Sequence, residues 1–180
     1  MMLDASVLLA ARVLGTLVFG TAWVGKLRHH DEFVAVVSNY RLMPPKLVTP
    51  TAWLVIALEM LVTLSLASGI GLQGGALLAI CALSIFAVAM AINLARGRSH
   101  IDCGCFQSAL RQKLSPAHIL RNILLAIALT PLLVSNVAAI SWPQMLNGLA
   151  TGVVLFVLYL ALDRLLALGD FATTDRKRVA

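Results

Sequence analysis

The sequence predicts an all-α membrane protein, a polytopic helical bundle with a four-helix core and a fifth C-terminal span. Of its 180 residues, 60% are hydrophobic and only 12% are charged, whereas soluble domains average about 45–50% and about 25%. The apolar residues form blocks of about 20, the length of helix that crosses the hydrocarbon core of a bilayer. These blocks leave no room for a separate soluble domain, so we expect one transmembrane domain over residues 1–180.

Each apolar block defines one expected span. The spans are expected at residues 5–25, 50–70, 72–94, 118–137 and 145–168, followed by a polar tail at 169–180. No basic segment precedes the first block and no small-residue cleavage site follows it, so we expect it to be retained as a span. Residues 31–39 are expected to form a short interfacial helix, and Pro44 and Pro45 mark a break. Ser115 and Pro116 predict the N-terminus of the fourth span.

The basic residues predict the orientation of the bundle. An odd number of spans places the loops after spans 1 and 3 and the C-terminal tail on one side. Of the 14 Lys and Arg residues, all except Arg12 lie on or near that side. The positive-inside rule then makes these loops cytoplasmic and the N-terminus external. The net charge of +6 is therefore explained by topology and by contact with the lipid bilayer, and we expect no nucleic-acid partner.

The loop between spans 3 and 4 carries the segment with the clearest chemistry, Cys103-Gly104-Cys105. Two cysteines separated by one residue can close a small, strained disulfide ring, and strained disulfides are the ones that exchange readily. Arg96 and Arg98 lie nearby in sequence and favour the thiolate, which is the nucleophilic form. We therefore expect Cys103 and Cys105 to cycle between dithiol and disulfide as the catalytic pair of a membrane thiol–disulfide oxidoreductase.

Other functions remain open at the same loop. His100 and His118 could complete a Cys2His2 metal set with the two sulfurs, although the Cys-x-Cys spacing differs from that of most zinc sites. A soft-metal carrier or transporter would use these ligands, whereas a non-catalytic assembly factor would not need the cysteines. Cys81 lies inside span 3, where we expect a buried packing thiol.

Polar residues inside the spans predict a supporting pocket beneath the cysteines. Glu59 lies near the middle of span 2, where a lone carboxylate is costly and usually paired or functional. Four further polar residues lie toward the same side as the cysteine loop, namely Lys26, Asn93, Arg121 and Asn122. We expect Glu59 to pair with Lys26 or Arg121, in a pocket that holds a quinone or relays protons. A purely structural ion pair is the alternative.

These residues also carry a resemblance to the MauE branch of the MauE/DoxX group of redox-associated membrane proteins. The segments that carry it are, in order, Gly25-Lys26, Tyr40-Arg41-Leu42-Met43-Pro44, Leu58-Glu59, Arg96-Gly97-Arg98, Asp102-Cys103-Gly104-Cys105-Phe106 and Arg121-Asn122. The cysteine segment is the specific part. Gln107 stands where the family pattern usually has a glycine, which changes the turn after the cysteines and leaves the thiols in place.

The resemblance implies a protein of the bacterial inner membrane that acts in the maturation of methylamine dehydrogenase, an enzyme whose small subunit is rich in disulfides. It implies a thioredoxin-like partner, MauD or a MauD-like protein, and a bundle similar to those of the DsbB and vitamin K epoxide reductase families, which are quinone-linked. That maturation is periplasmic, whereas the charge bias places the cysteine loop in the cytoplasm. Either electrons cross the membrane through the protein, or the orientation is the reverse of the one the charges predict.

Overall fold

The computed structural model describes residues 4–99, 101–102, 114–134 and 141–176, with side chains up to residue 165. These residues form six α-helices and one short 3-10 turn. The helices are α1 (Ala5–Arg28), α2 (His30–Tyr40), α3 (Pro45–Ser68), α4 (Leu72–Ala95), α5 (Pro116–Leu129, continued by the 3-10 turn Thr130–Leu133) and α6 (Trp142–Arg176). All except α2 are long and apolar enough to cross a membrane, so the predicted all-α, multi-pass bundle is confirmed.

The centre of the bundle is α1, which packs mainly on α3 and α6, while α4 packs mainly on α5. The core is formed by large aliphatic side chains that meet small ones, among them Leu14, Val18, Val62, Leu66 and Leu129. Because lipid tails are as apolar as leucine, burial alone does not hold such helices together, and close packing through small residues contributes much of the stability.

The helix ends follow local rules and differ in part from the expected spans. Ser115 caps α5 by accepting a hydrogen bond from the Ala117 N–H, and α5 therefore begins as predicted. The helix of the second span begins at Pro45, ahead of the expected span at residues 50–70, because the first helical position needs no N–H donor and proline fits there. Pro131 lacks the N–H that would bond to Ile127, and the chain tightens into the 3-10 turn at this point.

The last helix is longer than expected. The backbone of α6 stays helical through Arg176, so most of the expected polar tail continues the helix. Extending an existing helix adds one hydrogen bond for each residue that is ordered, and residues 169–176 contain no proline.

The short helix α2 lies against the first half of α3. Phe33 is buried between Ala52 and Ile56 of α3, while Asp31 and Glu32 are exposed. The helix ends at Arg41, which adopts a left-handed backbone conformation with φ 47°, a common way for a helix to stop. It follows that α2 covers the side of the bundle that carries the loop between α4 and α5.

Candidate functional site

A cavity of about 200 Å³ lies between α1, α2, α3, α4, α5 and α6, in the half of the bundle nearest the loop between α4 and α5. Its walls are mostly apolar and include Phe19, Val37, Val55, Leu83, Phe86 and Met90. Four of the polar residues expected in a pocket also line it, namely Lys26, Glu59, Arg121 and Asn122. The helices therefore bring together residues that are far apart in the chain.

One wall of the cavity holds a buried ion pair between Lys26 and Glu59. The Lys26 Nζ donates to both carboxylate oxygens of Glu59, at 2.7 and 2.9 Å, and the two side chains are only 4% and 2% exposed. The ammonium group also lies 5.4 Å from the centre of the Phe33 ring, where a cation is attracted by the ring face. Of the two expected partners of Glu59, the structure selects Lys26.

A second ion pair, between Arg121 of α5 and Asp163 of α6, adjoins the cavity through Arg121. Arg121 donates through Nη1 to the Asp163 Oδ1, both side chains are 3% exposed, and the guanidinium lies 5.2 Å from the centre of the Tyr159 ring. Sequence reasoning missed Asp163. The rule that singled out Glu59, that a carboxylate within an apolar span is costly unless paired, applies equally to Asp163 and would have found it.

Asn122 stands beside this pair and lines the cavity. The residue is 3% exposed, and among the described residues its Nδ2 has no hydrogen-bond partner. A buried amide that donates no hydrogen bond typically costs about 1–3 kcal/mol. The cavity wall thus offers an N–H donor without a protein acceptor.

Asn93, the fifth polar residue expected in the pocket, holds the base of the loop instead of lining the cavity. Its side-chain amide donates to the Ala89 carbonyl and accepts from the Arg98 Nη1. Gly97 adopts φ 71°, and the N–H groups of Gly97 and Arg98 bond to the carbonyls of Leu94 and Asn93. This Schellman arrangement ends α4 and needs a residue that tolerates positive φ, which explains the glycine.

The loop that carries the cysteines is closed at its base. The Leu114 N–H donates to the Ile101 carbonyl at 2.9 Å, and both side chains are buried against Met90, with Phe86 and Tyr40 packed around them. Met90, Phe86 and Tyr40 also line the cavity. The chain therefore enters and leaves the cysteine segment at a single point beside the cavity.

The cysteine segment itself lies outside the described residues, which resume at Leu114. The roles of Cys103 and Cys105 therefore stay predictions, as does that of His100. Arg96 is exposed at the end of α4, and Arg98 is bonded to Asn93. Their effect on the thiolate also stays a prediction.

Two further sequence-based expectations concern α4 and α5. Cys81 is exposed on α4, so the expectation of a buried thiol was wrong. A helix that is apolar all around does not reveal from its sequence which face turns inward. His118 is buried in the first turn of α5. Within the described ranges no three His, Cys, Asp or Glu residues are grouped as a metal site would require, and the metal set proposed for the loop stays a prediction.

The order of these features along the chain matches a known family. The family profile described as "Methylamine utilisation protein MauE" matches residues 4–135, the range that contains Lys26, Glu59, the cysteine pair and Asn122. The chain belongs to the MauE family. Relatives named "Methylamine utilization protein MauE" include those of Methylophilus methylotrophus, 35% identical over 98% of this chain and 93% of the relative, and of Paracoccus denitrificans, 35% identical over 97% and 95%.

A third relative with the same name, from Methylorubrum extorquens, is 40% identical over 62% of this chain and 60% of the relative. No solved structure matches the chain. The expected likeness to the bundles of the DsbB and vitamin K epoxide reductase families therefore stays a prediction.

Proposed function

We propose that the protein acts in methylamine utilisation as a membrane thiol–disulfide oxidoreductase. In this proposal Cys103 and Cys105 exchange disulfides with a thioredoxin-like partner, and the electrons pass to an acceptor in the membrane. The end product is a correctly disulfide-bonded protein such as methylamine dehydrogenase. Membership of the MauE family supports the role in methylamine utilisation, and the closure of the base of the loop beside the cavity supports the thiol chemistry.

The observation that carries the proposal is the closure of the cysteine loop beside the cavity. Ile101 and Leu114 fix the two ends of the segment against Met90, and Cys103 follows Ile101 by two positions. A pair of thiols tethered there would have a soluble partner on one side and the interior of the bundle on the other. Such a position suits a group that takes electrons from a partner and passes them into the membrane.

The exchange follows ordinary disulfide chemistry. A thiolate of the partner attacks one sulfur of the Cys103–Cys105 disulfide, which forms a mixed disulfide and releases the other cysteine as a thiolate. The partner's second thiolate then attacks the mixed disulfide. The products are the oxidised partner and the dithiol form of Cys103 and Cys105, so two electrons and two protons have moved between the proteins.

The first experiment measures the resting redox state of the pair. Native membranes are quenched in acid, denatured and tagged with a bulky maleimide, with and without prior reduction. Because the chain has 3 cysteines, and Cys81 is free, we expect one tag before reduction and three after it. The Cys103→Ser, Cys105→Ser double variant should take one tag in both samples, and the Cys81→Ser control should take none before reduction and two after it.

The contrary outcome is equally clear. Three tags before reduction, even after treatment with an oxidant such as diamide, would show that the pair does not form a disulfide. Stoichiometric binding of zinc or copper that disappears in the double variant would then favour a metal carrier. Full support of methylamine dehydrogenase maturation by the double variant would favour a non-catalytic assembly factor.

A second experiment identifies the partner. In the reverse direction of this exchange, the cysteine that remains in a single variant attacks the disulfide of the oxidised partner. The chain then has no second cysteine of the pair to resolve the mixed disulfide, so the covalent intermediate accumulates. We expect either Cys103→Ser or Cys105→Ser to trap a thioredoxin-like protein in a complex that dissociates on reduction. Suppose that neither single variant traps any protein, while a thioredoxin-like partner that lacks its own resolving cysteine traps a different protein. The exchange would then not run through this loop.

A further inference from the structure

We infer that the cavity is a binding site for the ring of a lipid-soluble quinone, with the Asn122 amide as the donor to one ring carbonyl. The inference rests on the proposed function in one respect, since it names the membrane acceptor of the electrons. The binding itself is argued from the cavity alone and can be tested without the cysteines.

The cavity wall carries an unmatched hydrogen-bond donor. Asn122 is only 3% exposed and lines the cavity. Its Nδ2 has no acceptor in the part of the chain that the structure describes. Buried polar groups almost always have a partner, either in the protein or in ordered water, and a group without a protein partner requires an explanation. The ligand should therefore present a hydrogen-bond acceptor, such as a carbonyl oxygen, to α5.

The charges at the cavity favour a neutral ligand. Among the residues that the structure describes, each cation that lines the cavity has its own carboxylate, Lys26 with Glu59 and Arg121 with Asp163. A charged ligand would have to displace one of these partners or remain uncompensated in a medium of low dielectric constant, and both are costly. The paired charges therefore select a neutral ligand, which argues against a phosphate, a carboxylate or a metal ion.

The size and position of the cavity also restrict the ligand. Its volume of about 200 Å³ lies below the ~300–1,000 Å³ of pockets that enclose drug-sized ligands. It has room for a single ring and not for a long chain. Ile85 and Leu42 line the cavity and are also exposed, Ile85 by 65%, so the cavity reaches the outer surface of the bundle. A ring could bind inside while an isoprenoid tail remains among the lipids.

These three requirements describe a neutral, apolar ring with a carbonyl acceptor and a lipid-soluble tail, which is the chemistry of a prenylated quinone. Such a molecule also balances the proposed exchange. When the dithiol of Cys103 and Cys105 becomes a disulfide, two electrons and two protons are released, and a quinone takes up two of each to become a quinol. The amide of Asn122 orients the ring by one carbonyl, and the apolar walls exclude water from it.

The test measures binding of ubiquinone with one isoprene unit to the full chain in lipid nanodiscs by isothermal titration calorimetry. We expect saturable one-to-one binding. The nearly isosteric change Asn122→Asp replaces the donor with an acceptor and should weaken binding about tenfold or more, since the loss of one buried hydrogen bond and the added repulsion exceed the free energy of a tenfold change. Asn122→Leu should weaken binding to a similar extent without adding charge.

A second pair of variants tests the cavity without touching a polar group. Ala89 lines the cavity, so Ala89→Phe should fill it and abolish binding. Ala91 lies two positions further along α4 and is exposed, so Ala91→Phe adds the same ring toward the lipid and should leave binding unchanged. If neither Asn122→Asp nor Ala89→Phe weakens binding, or if the unaltered chain shows no saturable binding, the site is not in this cavity.

The outcome separates this inference from the proposed function. The Cys103→Ser, Cys105→Ser double variant should bind the quinone as the unaltered chain does, because it keeps every described residue that lines the cavity. A chain with a reversible disulfide and no quinone binding would overturn the inference and leave the thiol proposal standing. Specific quinone binding to a chain whose thiols never form a disulfide would support the inference and overturn the thiol proposal.

Discussion

The two halves of this bundle are built from the same helices and are packed in opposite ways. In the packed half, which contains residues 5–15 of α1 and 142–152 of α6, glycines bring the backbones together. A Cβ atom at Gly148 would lie 2.8 Å from the Leu9 Cβ, and one at Gly152 would lie 2.6 Å from the Val13 Cβ. In the hollow half, which contains residues 18–26 of α1 and 116–122 of α5, the helices enclose the cavity and its two ion pairs.

The halves also treat charge differently. In the packed half, Arg12 has no carboxylate partner among the described residues and instead donates to the Leu66 and Ala67 carbonyls, at 2.5 and 2.7 Å. These carbonyls lie at the C-terminal end of α3, where the helix itself supplies no N–H donor and a cation is favourable. In the hollow half, four ionisable side chains are buried in pairs. Replacing a buried ion pair with apolar residues is often neutral or stabilising, so stability alone does not explain why the hollow half retains them.

The difference indicates which half carries the function. Tight contacts between small residues stabilise helices in a membrane, and the packed half has them. The hollow half combines buried charges, an unmatched amide and an empty volume, all of which cost stability. We therefore treat the packed half as the scaffold and the hollow half as the site.

The largest effect should come from breaking one ion pair of the hollow half. Asp163→Leu leaves the Arg121 charge buried without its carboxylate, and the loss of one partner of a buried pair costs about 3–5 kcal/mol. The Arg121→Leu, Asp163→Leu double variant should recover most of that loss, because the uncompensated charge is gone. The measurement is the free energy of unfolding of the reconstituted protein in an SDS titration. A double variant no more stable than Asp163→Leu would mean that the pair is part of the scaffold.

An intermediate effect should follow when a methyl group is added in the packed half. Gly152→Ala places a Cβ 2.6 Å from the Val13 Cβ and 2.9 Å from the Ala10 carbonyl, so α1 and α6 must separate, at a cost of about 1–3 kcal/mol. Gly74→Ala is the matched control, because a Cβ there meets nothing within 4 Å. Alanine favours a helix over glycine by up to about 1 kcal/mol. Equal thermal stability of the two variants in detergent would show that the close contact does not hold the scaffold together.

The smallest effect should come from removing the charge that caps α3. Arg12→Gln loses charged hydrogen bonds to the last turn of α3 and should destabilise the protein by about 1–2 kcal/mol. Arg164→Gln is the control, because Arg164 is exposed and should change stability by less than about 0.5 kcal/mol. The thermal midpoint in detergent distinguishes the two. If Arg12→Gln lowers the stability of the protein as much as Asp163→Leu does, then charge is as important to the packed half as to the hollow half.

Features that depend on one segment of the chain were predictable from the sequence. Apolar blocks of membrane-spanning length predicted the spans, and Ser115 with Pro116 predicted the start of α5. The constant rise of a helix also allowed Lys26, Arg121 and Asn122 to be placed at one end of the bundle. Each of these inferences uses distances along a single helix, which the sequence determines directly.

The tertiary structure alone decided how the helices face one another. It paired Glu59 with Lys26, brought Asp163 to Arg121, and turned Asn93 toward the loop base and Cys81 toward the outside. These choices depend on the rotation and crossing of helices that are apolar on every face, so no periodicity in the sequence records them. Each helix can turn about its own axis without changing any of its internal hydrogen bonds. The packing of all the helices together therefore determines which polar atoms meet across the cavity.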